Sequence, residues 1–260
     1  MYRTDQADHI GQAEWLPALD ITPPARQRRW TVLLRLLLLV PQFIVLVILG
    51  IVTFFAAIAA WFAALALGRL PDWAEPYLSG YVAYTTRVYA SLYLLVDSYP
   101  PFSFTAPESP VQVELRPGQL NRLAVFFRFI LVIPAAIVAS VVTAGWQAVA
   151  FFCWLVVLIL GRTPAPLFEA SAAMLRYSMR LQAYFLMLAS AYPKRLFGDQ
   201  AAADASVGES GRLSATRPLL LATGGKVLLV IFIVLGVVSV GVSSGESGSG
   251  TNQGTTVSGS

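Results

Sequence analysis

Two long apolar runs dominate the chain. Thr31 to Leu67 contains one charged residue, Arg35, and Ala124 to Leu160 contains one, Arg128. Each run is 37 residues long. As a single helix rising 1.5 Å per residue, either would reach about 55 Å, against a hydrocarbon core about 30 Å thick. The pattern therefore predicts that each run turns back on itself, as two crossings of about eighteen residues. The turns are expected at Gly50 to Thr53 and around Thr143, Gly145 and Gln147. A re-entrant hairpin dipping in from one face is the alternative. Pro41 and Pro134 are expected to kink the first helix of each hairpin or to mark where an interfacial turn becomes the span. Ala56, Ala60 and Ala64 recur every four residues, either as a smooth stripe for close helix packing or simply as good helix formers.

Each run ends in a flexible exit, a cation and a helix breaker: Gly68-Arg69-Leu70-Pro71 and Gly161-Arg162-Thr163-Pro164. An amphipathic pattern follows. Met174, Tyr177, Leu181, Phe185, Leu188 and Tyr192 recur at helical steps, with Glu169, Ala173, Arg176 and Arg180 along another face. Tyr81, Tyr84, Val88, Leu92, Leu95 and Tyr99 repeat it earlier, with Arg87 opposite. Burying Arg87, Arg176 or Arg180 in mid-bilayer would cost roughly 3 kcal/mol each. An interfacial helix avoids that cost, and tyrosine favours that depth.

One offset relates the two halves. Arg35 and Arg128 are 93 positions apart, and at that spacing Pro41 meets Pro134, Trp61 meets Trp154, Tyr84 meets Tyr177, Arg87 meets Arg180 and Tyr99-Pro100 meets Tyr192-Pro193. So many unlike residues on one shift are a duplication. An even number of crossings per copy keeps Arg29, Arg35, Arg122 and Arg128 on one side of the membrane, as the positive-inside tendency asks. The expected fold is an all-α integral membrane protein with two tandem parallel repeats about an axis along the membrane normal. Each repeat is a transmembrane helical hairpin plus an interfacial amphipathic helix, and one C-terminal transmembrane helix follows. The segments are a polar leader, 1–28, which is retained; repeats at 29–102 and 122–198; a Pro-rich cytoplasmic connector, 103–121, with an extended stretch at Val111 to Leu115; a polar linker, 199–217; the last span, 218–243; and a disordered Gly/Ser/Thr tail, 244–260. The N-terminus is expected in the cytoplasm and the cation-free tail outside.

Composition agrees with lipid. The chain is 57% hydrophobic and 12% charged, with a mean hydropathy of +0.66, where soluble domains carry roughly a quarter charged residues. The net charge of +4 sits beside apolar runs rather than in a polar stripe, which points to a charged membrane surface and away from nucleic acid. Cys153 is the single cysteine and can form no intrachain disulfide, and His9, in the polar leader, cannot build a metal site with so distant a cysteine. No phosphate loop, metal spacing or nucleophile–base pair is present, so no cofactor and no enzymatic activity are expected. The remaining constellation is Arg69, Arg87, Arg162, Arg176 and Arg180 with Tyr84 and Tyr177. These residues are read as contacts to anionic lipid headgroups, each cation contributing on the order of 1 kcal/mol, or as ordinary snorkelling anchors. The role that fits is a membrane scaffold or accessory subunit contacting other membrane subunits. The alternative is a small transporter or channel between the two repeats, for which Thr53, Ser140, Thr143 and Gln147 are the polar candidates.

Arg35-x5-Pro41, Gly68-Arg69-Leu70-Pro71, Tyr84-x2-Arg87 and Asp97-Ser98-Tyr99-Pro100-Pro101-Phe102 resemble a bacterial membrane family, domain of unknown function 4389, whose unit is often present twice. The resemblance covers Arg29 to about Gly198 and implies the inner membrane of a bacterium, with no activity attached. Relatives often place His after the proline, where this chain has Gln42 and Ala135. The second copy reads Ser190-Ala191-Tyr192-Pro193-Lys194, without the acidic residue of the first.

Overall fold

A computed structural model describes residues 16–23, 26–117, 120–198, 216 and 219–246. Expectations for His9 and the rest of 1–15, for most of the linker 199–217 and for the tail beyond Glu246 lie outside the described residues. In chain order the elements are β1 (Ala18–Ile21), α1 (Arg29–Leu33), α2 (Arg35–Leu67), α3 (Ala74–Leu92), β2 (Val111–Glu114), α4 (Arg122–Phe126), α5 (Arg128–Leu160), α6 (Ala165–Phe185) and α7 (Thr223–Glu246). Three of these helices, α2, α5 and α7, are long and apolar enough to cross a bilayer.

The hairpins expected inside the apolar runs are not there. α2 and α5 are each one helix of 33 residues, continuous through the midpoints where turns were expected. A turn there would free backbone N–H and C=O groups in an apolar setting, and an unbroken helix pairs them all. The small and polar midpoint residues serve packing instead. Gly50 lies against the Tyr81 hydroxyl, Thr53 meets the Tyr77 hydroxyl at 3.2 Å, and Gly145 lies on the backbone of Phe232. The expected breaks occur earlier, at Leu34 and Phe127, which separate α1 from α2 and α4 from α5, while Pro41 and Pro134 lie inside the long helices. Both ends behave as the exit motif suggested: Gly68 and Gly161 close their helices in the left-handed conformation, with φ of 73° and 65°.

α3 packs antiparallel on α2. Tyr77 sits by Leu49 and Thr53, Tyr84 bonds Gln42, and Ser91 meets Arg35. α6 packs on α5 in the same way, Ser171 by Trp146, Tyr177 by Ala135 and Tyr184 by Arg128. Contrary to the interfacial placement, α3 and α6 are interior helices. Beyond Pro76 α3 has no exposed residue, and beyond Pro166 α6 has only Phe185. Both faces of the amphipathic pattern are covered, because α3 and α6 also pack on each other and carry the strands on a further side. α7 has no counterpart in the first repeat. It runs antiparallel to α5 so closely that a Cβ on Gly145 would stand 1.6 Å from the Phe232 carbonyl oxygen, and one on Gly236 would stand 1.9 Å from that of Val141.

β1 and β2 form a two-stranded antiparallel sheet, with Ala18 opposite Glu114 and Ile21 opposite Val111. The extended stretch expected in the connector is therefore real, and its partner lies in the leader. β1 is itself the 93-residue counterpart of β2, so the pairing is symmetric about its own centre.

Candidate functional site

Of the seven residues expected at lipid headgroups, the structure exposes two, Arg69 and Arg162. Arg69 makes a 2.8 Å ion pair with Asp72 at the open end of α2. Arg87, Arg176, Arg180, Tyr84 and Tyr177 are buried and present no surface to a headgroup. Arg87, Arg180, Tyr84 and Tyr177 bond within the chain, while Arg87 Nε and Arg176 Nη2 are buried without a hydrogen bond among the described residues. Arg87 donates to the carbonyls of Ser103 and Phe104, strapping the connector across α3. Arg180 donates from Nε to the Pro17 carbonyl at 3.0 Å and from Nη1 to that of Lys194. The Tyr84 hydroxyl donates to the Gln42 side-chain oxygen, and the Tyr177 hydroxyl reaches the Ala135 carbonyl at 3.4 Å. Burial lowers the pKa of the Arg87 guanidinium from its ordinary value, with Tyr84 opposing the shift. It remains a cation, held by carbonyl dipoles.

Arg35 and Arg128 cap the ends of the neighbouring helices. Arg35 donates to the carbonyls of Ser91 and Val96 at 2.6 and 2.8 Å. Arg128 repeats this 93 residues on, to Tyr184 and Ala189 at 2.7 and 3.3 Å. Ser91 and Tyr184 lie in the last turns of α3 and α6, and Val96 and Ala189 lie two residues beyond Leu94 and Met187, which are left-handed at φ 62° and 63°. A buried cation at a helix C-terminus meets the negative end of the dipole. The copies differ in what completes the cage. Arg35 has Asp97 at 3.5 Å, whose carboxylate also accepts from the Thr31 hydroxyl at 2.7 Å. In the second copy Ser190 stands at the position matching Asp97, and Arg128 lies 4.3 Å from the centre of the Tyr184 ring. A cleft of about 450 Å³ opens beside Arg35, Asp97 and Tyr99.

Among the contacts that join the repeats, two occur twice with the partners exchanged. Trp61 donates its indole N–H to the Val125 carbonyl at 3.1 Å, and Trp154 donates to Val32 at 2.8 Å. The Leu120 N–H bonds the Gly68 carbonyl at 3.0 Å, and the Gln27 N–H bonds that of Gly161 at 2.9 Å. Beside the second contact the copies diverge. Buried Gln27 donates to the Leu94 carbonyl at 2.6 Å and to Thr163 at 2.8 Å, where the other junction has buried Leu120, Leu70 and Met187. The duplicated tryptophan was visible in the sequence, but its reaching across to the other copy was not.

Among the described residues no three His, Cys, Asp or Glu side chains gather as metal ligands. Cys153 is half-buried and packs against the core. A cavity of about 460 Å³ lies between α3, α5 and α6, with Thr85, Thr143, Ser178 and Gln182 in its wall. A second, of about 290 Å³, reaches α2 and shares Gln182 and Phe185 with the first. Apolar side chains predominate on the outer faces of α2, α5 and α7, from Leu36 through Phe62, Ile130 through Ile159, and Val227 through Val240, with Ser140 and Gln147 on α5 and Ser239 on α7 exposed among them.

The family described as "Domain of unknown function (DUF4389)" matches residues 29–103 and 122–196. No curated protein and no solved structure matches the chain. The two matched segments coincide with the two helical units that exchange tryptophans, and the chain belongs to this family and carries its domain twice.

Proposed function

We propose that this protein is a non-enzymatic membrane scaffold or accessory subunit of the bacterial inner membrane, with its leader on the cytoplasmic face. The observation that carries the reading is the division of labour among its helices. On α3 and α6, Arg87, Arg180 and Tyr84 bond groups of the chain itself, while α2, α5 and α7 offer outer faces on which apolar side chains predominate. Exposed apolar surface on that scale marks contact with lipid or with other membrane subunits. Buried cations held by carbonyls are structural. Contact with anionic headgroups falls to Arg69 and Arg162, the two exposed members of the set.

Flotation of the purified chain with liposomes tests this. Arg69→Ala with Arg162→Ala should reduce the preference for anionic over neutral lipid, by on the order of 1 kcal/mol per cation. Arg87→Ala should lower stability and leave that preference unchanged. An unchanged preference in the Arg69/Arg162 double variant sinks the headgroup role. The two cavities at the repeat interface, joined at Gln182 and Phe185, favour a second reading, a small transporter or channel between the halves. Solute flux in proteoliposomes no greater than in empty vesicles would remove it.

A further inference from the structure

The exchanged contacts determine a direction. The twofold operation that carries the first repeat onto the second takes Val32 to Val125 and Trp61 to Trp154. Trp61 sits on Val125, and Trp154 sits on Val32. The line from Val32 to Trp61 is therefore carried onto its own reverse, and only a line perpendicular to the axis behaves so. The Gln27–Gly161 and Leu120–Gly68 pair repeats the construction. α2 and α5 thus run antiparallel to each other and perpendicular to the pseudo-twofold axis. That axis passes through the centre of the β1–β2 sheet, because the strands pair with their own counterparts. The sheet contacts α3 and α6 and none of the long helices, so it lies at the mid-length of α2 and α5, on one face.

If α2 and α5 crossed the bilayer upright, the sheet would sit at mid-depth on the outside of the molecule. Its β1 edge is held by Thr216, which bonds the Ile21 N–H and the Leu19 carbonyl, and its connector exposes Glu108, Gln112 and Arg116. Polar loops do not lie exposed against hydrocarbon, and a mid-bilayer arginine costs about 3 kcal/mol. Length argues the same way. Leu36 to Leu67 is uncharged and extends about 48 Å. Fitting that into a core of about 30 Å would need a tilt of about 50°, beyond the usual range of about 0 to 40°. Lying flat, a helix about 10 Å across fits within a single leaflet.

We infer that the protein is monotopic: α2 and α5 lie in the plane of one leaflet, the pseudo-twofold axis stands along the membrane normal, and the sheet faces water. α7 follows α5 antiparallel and lies with it, so the tail stays on the sheet side instead of crossing as the sequence suggested. This rests on the protein being embedded in lipid. Resistance to carbonate extraction checks that part separately, since release by carbonate would end the membrane reading itself.

The test uses single cysteines in full-length Cys153→Ala protein, labelled with a membrane-impermeant maleimide in oriented vesicles. Arg29→Cys and Asp72→Cys mark the two ends of α2, and Gln112→Cys marks the sheet. All three should label from the same face. Labelling of Arg29→Cys and Asp72→Cys from opposite faces overturns the inference. A depth series that needs no sidedness accompanies it: spin labels at Ile44, Ile51 and Ile58, exposed and one heptad apart. Equal depths support the flat helix. A maximum at Ile51 overturns it, and so does water exclusion at all three with no lipid contact, the result expected if a second copy covers the face.

Discussion

At the scale of single residues, the duplication lets one copy act as the control for the other. The junction around Gln27 and Thr163 is polar, and its counterpart at Leu120 and Leu70 is apolar, on the same backbone. Replacing both members of a buried polar pair by apolar groups of similar shape is close to neutral, whereas removing one strands the other. Thr163→Val alone should cost about 1–3 kcal/mol, and Thr163→Val with Gln27→Leu should recover most of it, measured by urea unfolding in detergent. Trp61→Phe and Trp154→Phe each lose one indole hydrogen bond, worth about 1 kcal/mol. The two sites lie at opposite ends of α2 and should be additive; a large coupling would mean the repeats do not dock as two independent clasps. Leu94, in a conformation that favours glycine, presents the opposite balance. Relaxing its φ with Leu94→Gly gains about 1 kcal/mol, but emptying a buried leucine site costs about 2–5, so the variant should be less stable. Of these features, only the matched tryptophans could be seen in the sequence. Gln27 lies in a leader that reads as merely polar, and nothing local marks it as buried.

At the scale of elements, periodicity located α2, α3, α5, α6 and α7 but not the short helices α1 and α4, and it carried the patterns on to Tyr99 and Tyr192, past the ends of α3 at Leu92 and α6 at Phe185. The apolar runs are helical as expected, but length against bilayer thickness suggested a fold-back that the chain does not make. Length predicts a turn only if the helix must stand upright. Helices α3 and α6 stand where the amphipathic patterns were read, yet Arg87 and Arg180, which should have met headgroups, meet the connector and the leader. A helical face records what is polar, and whether water, lipid or backbone carbonyls satisfy it depends on what packs there. α7 gives a direct element-level prediction. Gly145→Ala or Gly236→Ala inserts a methyl group into the backbone of the facing helix and should separate α7 from α5, at a cost of more than about 3 kcal/mol. Gly241→Ala, with nothing within 4 Å, should be neutral or gain up to about 1 kcal/mol. Protease sensitivity of the segment after Gly198 reads out the detachment; equal protection in all three variants would refute the close docking.

At the scale of the whole molecule, the symmetry is the consequential feature, because reciprocal contacts orient the long helices relative to the axis. The orientation predicts that α7 is as flat as α2. Bromolipid quenching of tryptophans introduced at Val230 and Val237, both exposed and one heptad apart, should report equal depth. A steep difference would stand α7 upright and separate its fate from that of α5. The family match covers the helical units but stops short of β1 and most of the connector, although the strands obey the same offset. The structural repeat is longer than the recognisable one because strand pairing depends on backbone bonds, and Ala18-Leu19-Asp20-Ile21 need not resemble Val111-Gln112-Val113-Glu114 to make them.

By itself the sequence determined composition-level and period-level facts: an affinity for lipid, a duplication at one offset, helices where apolar residues recur, and glycine exits that end them. These follow from nearest neighbours along the chain and from transfer energies. The tertiary structure alone decided which arginines are buried, that the two copies clasp each other through exchanged tryptophans, and which way the long helices point. Those outcomes depend on residues far apart in the chain meeting in space, which no local pattern encodes.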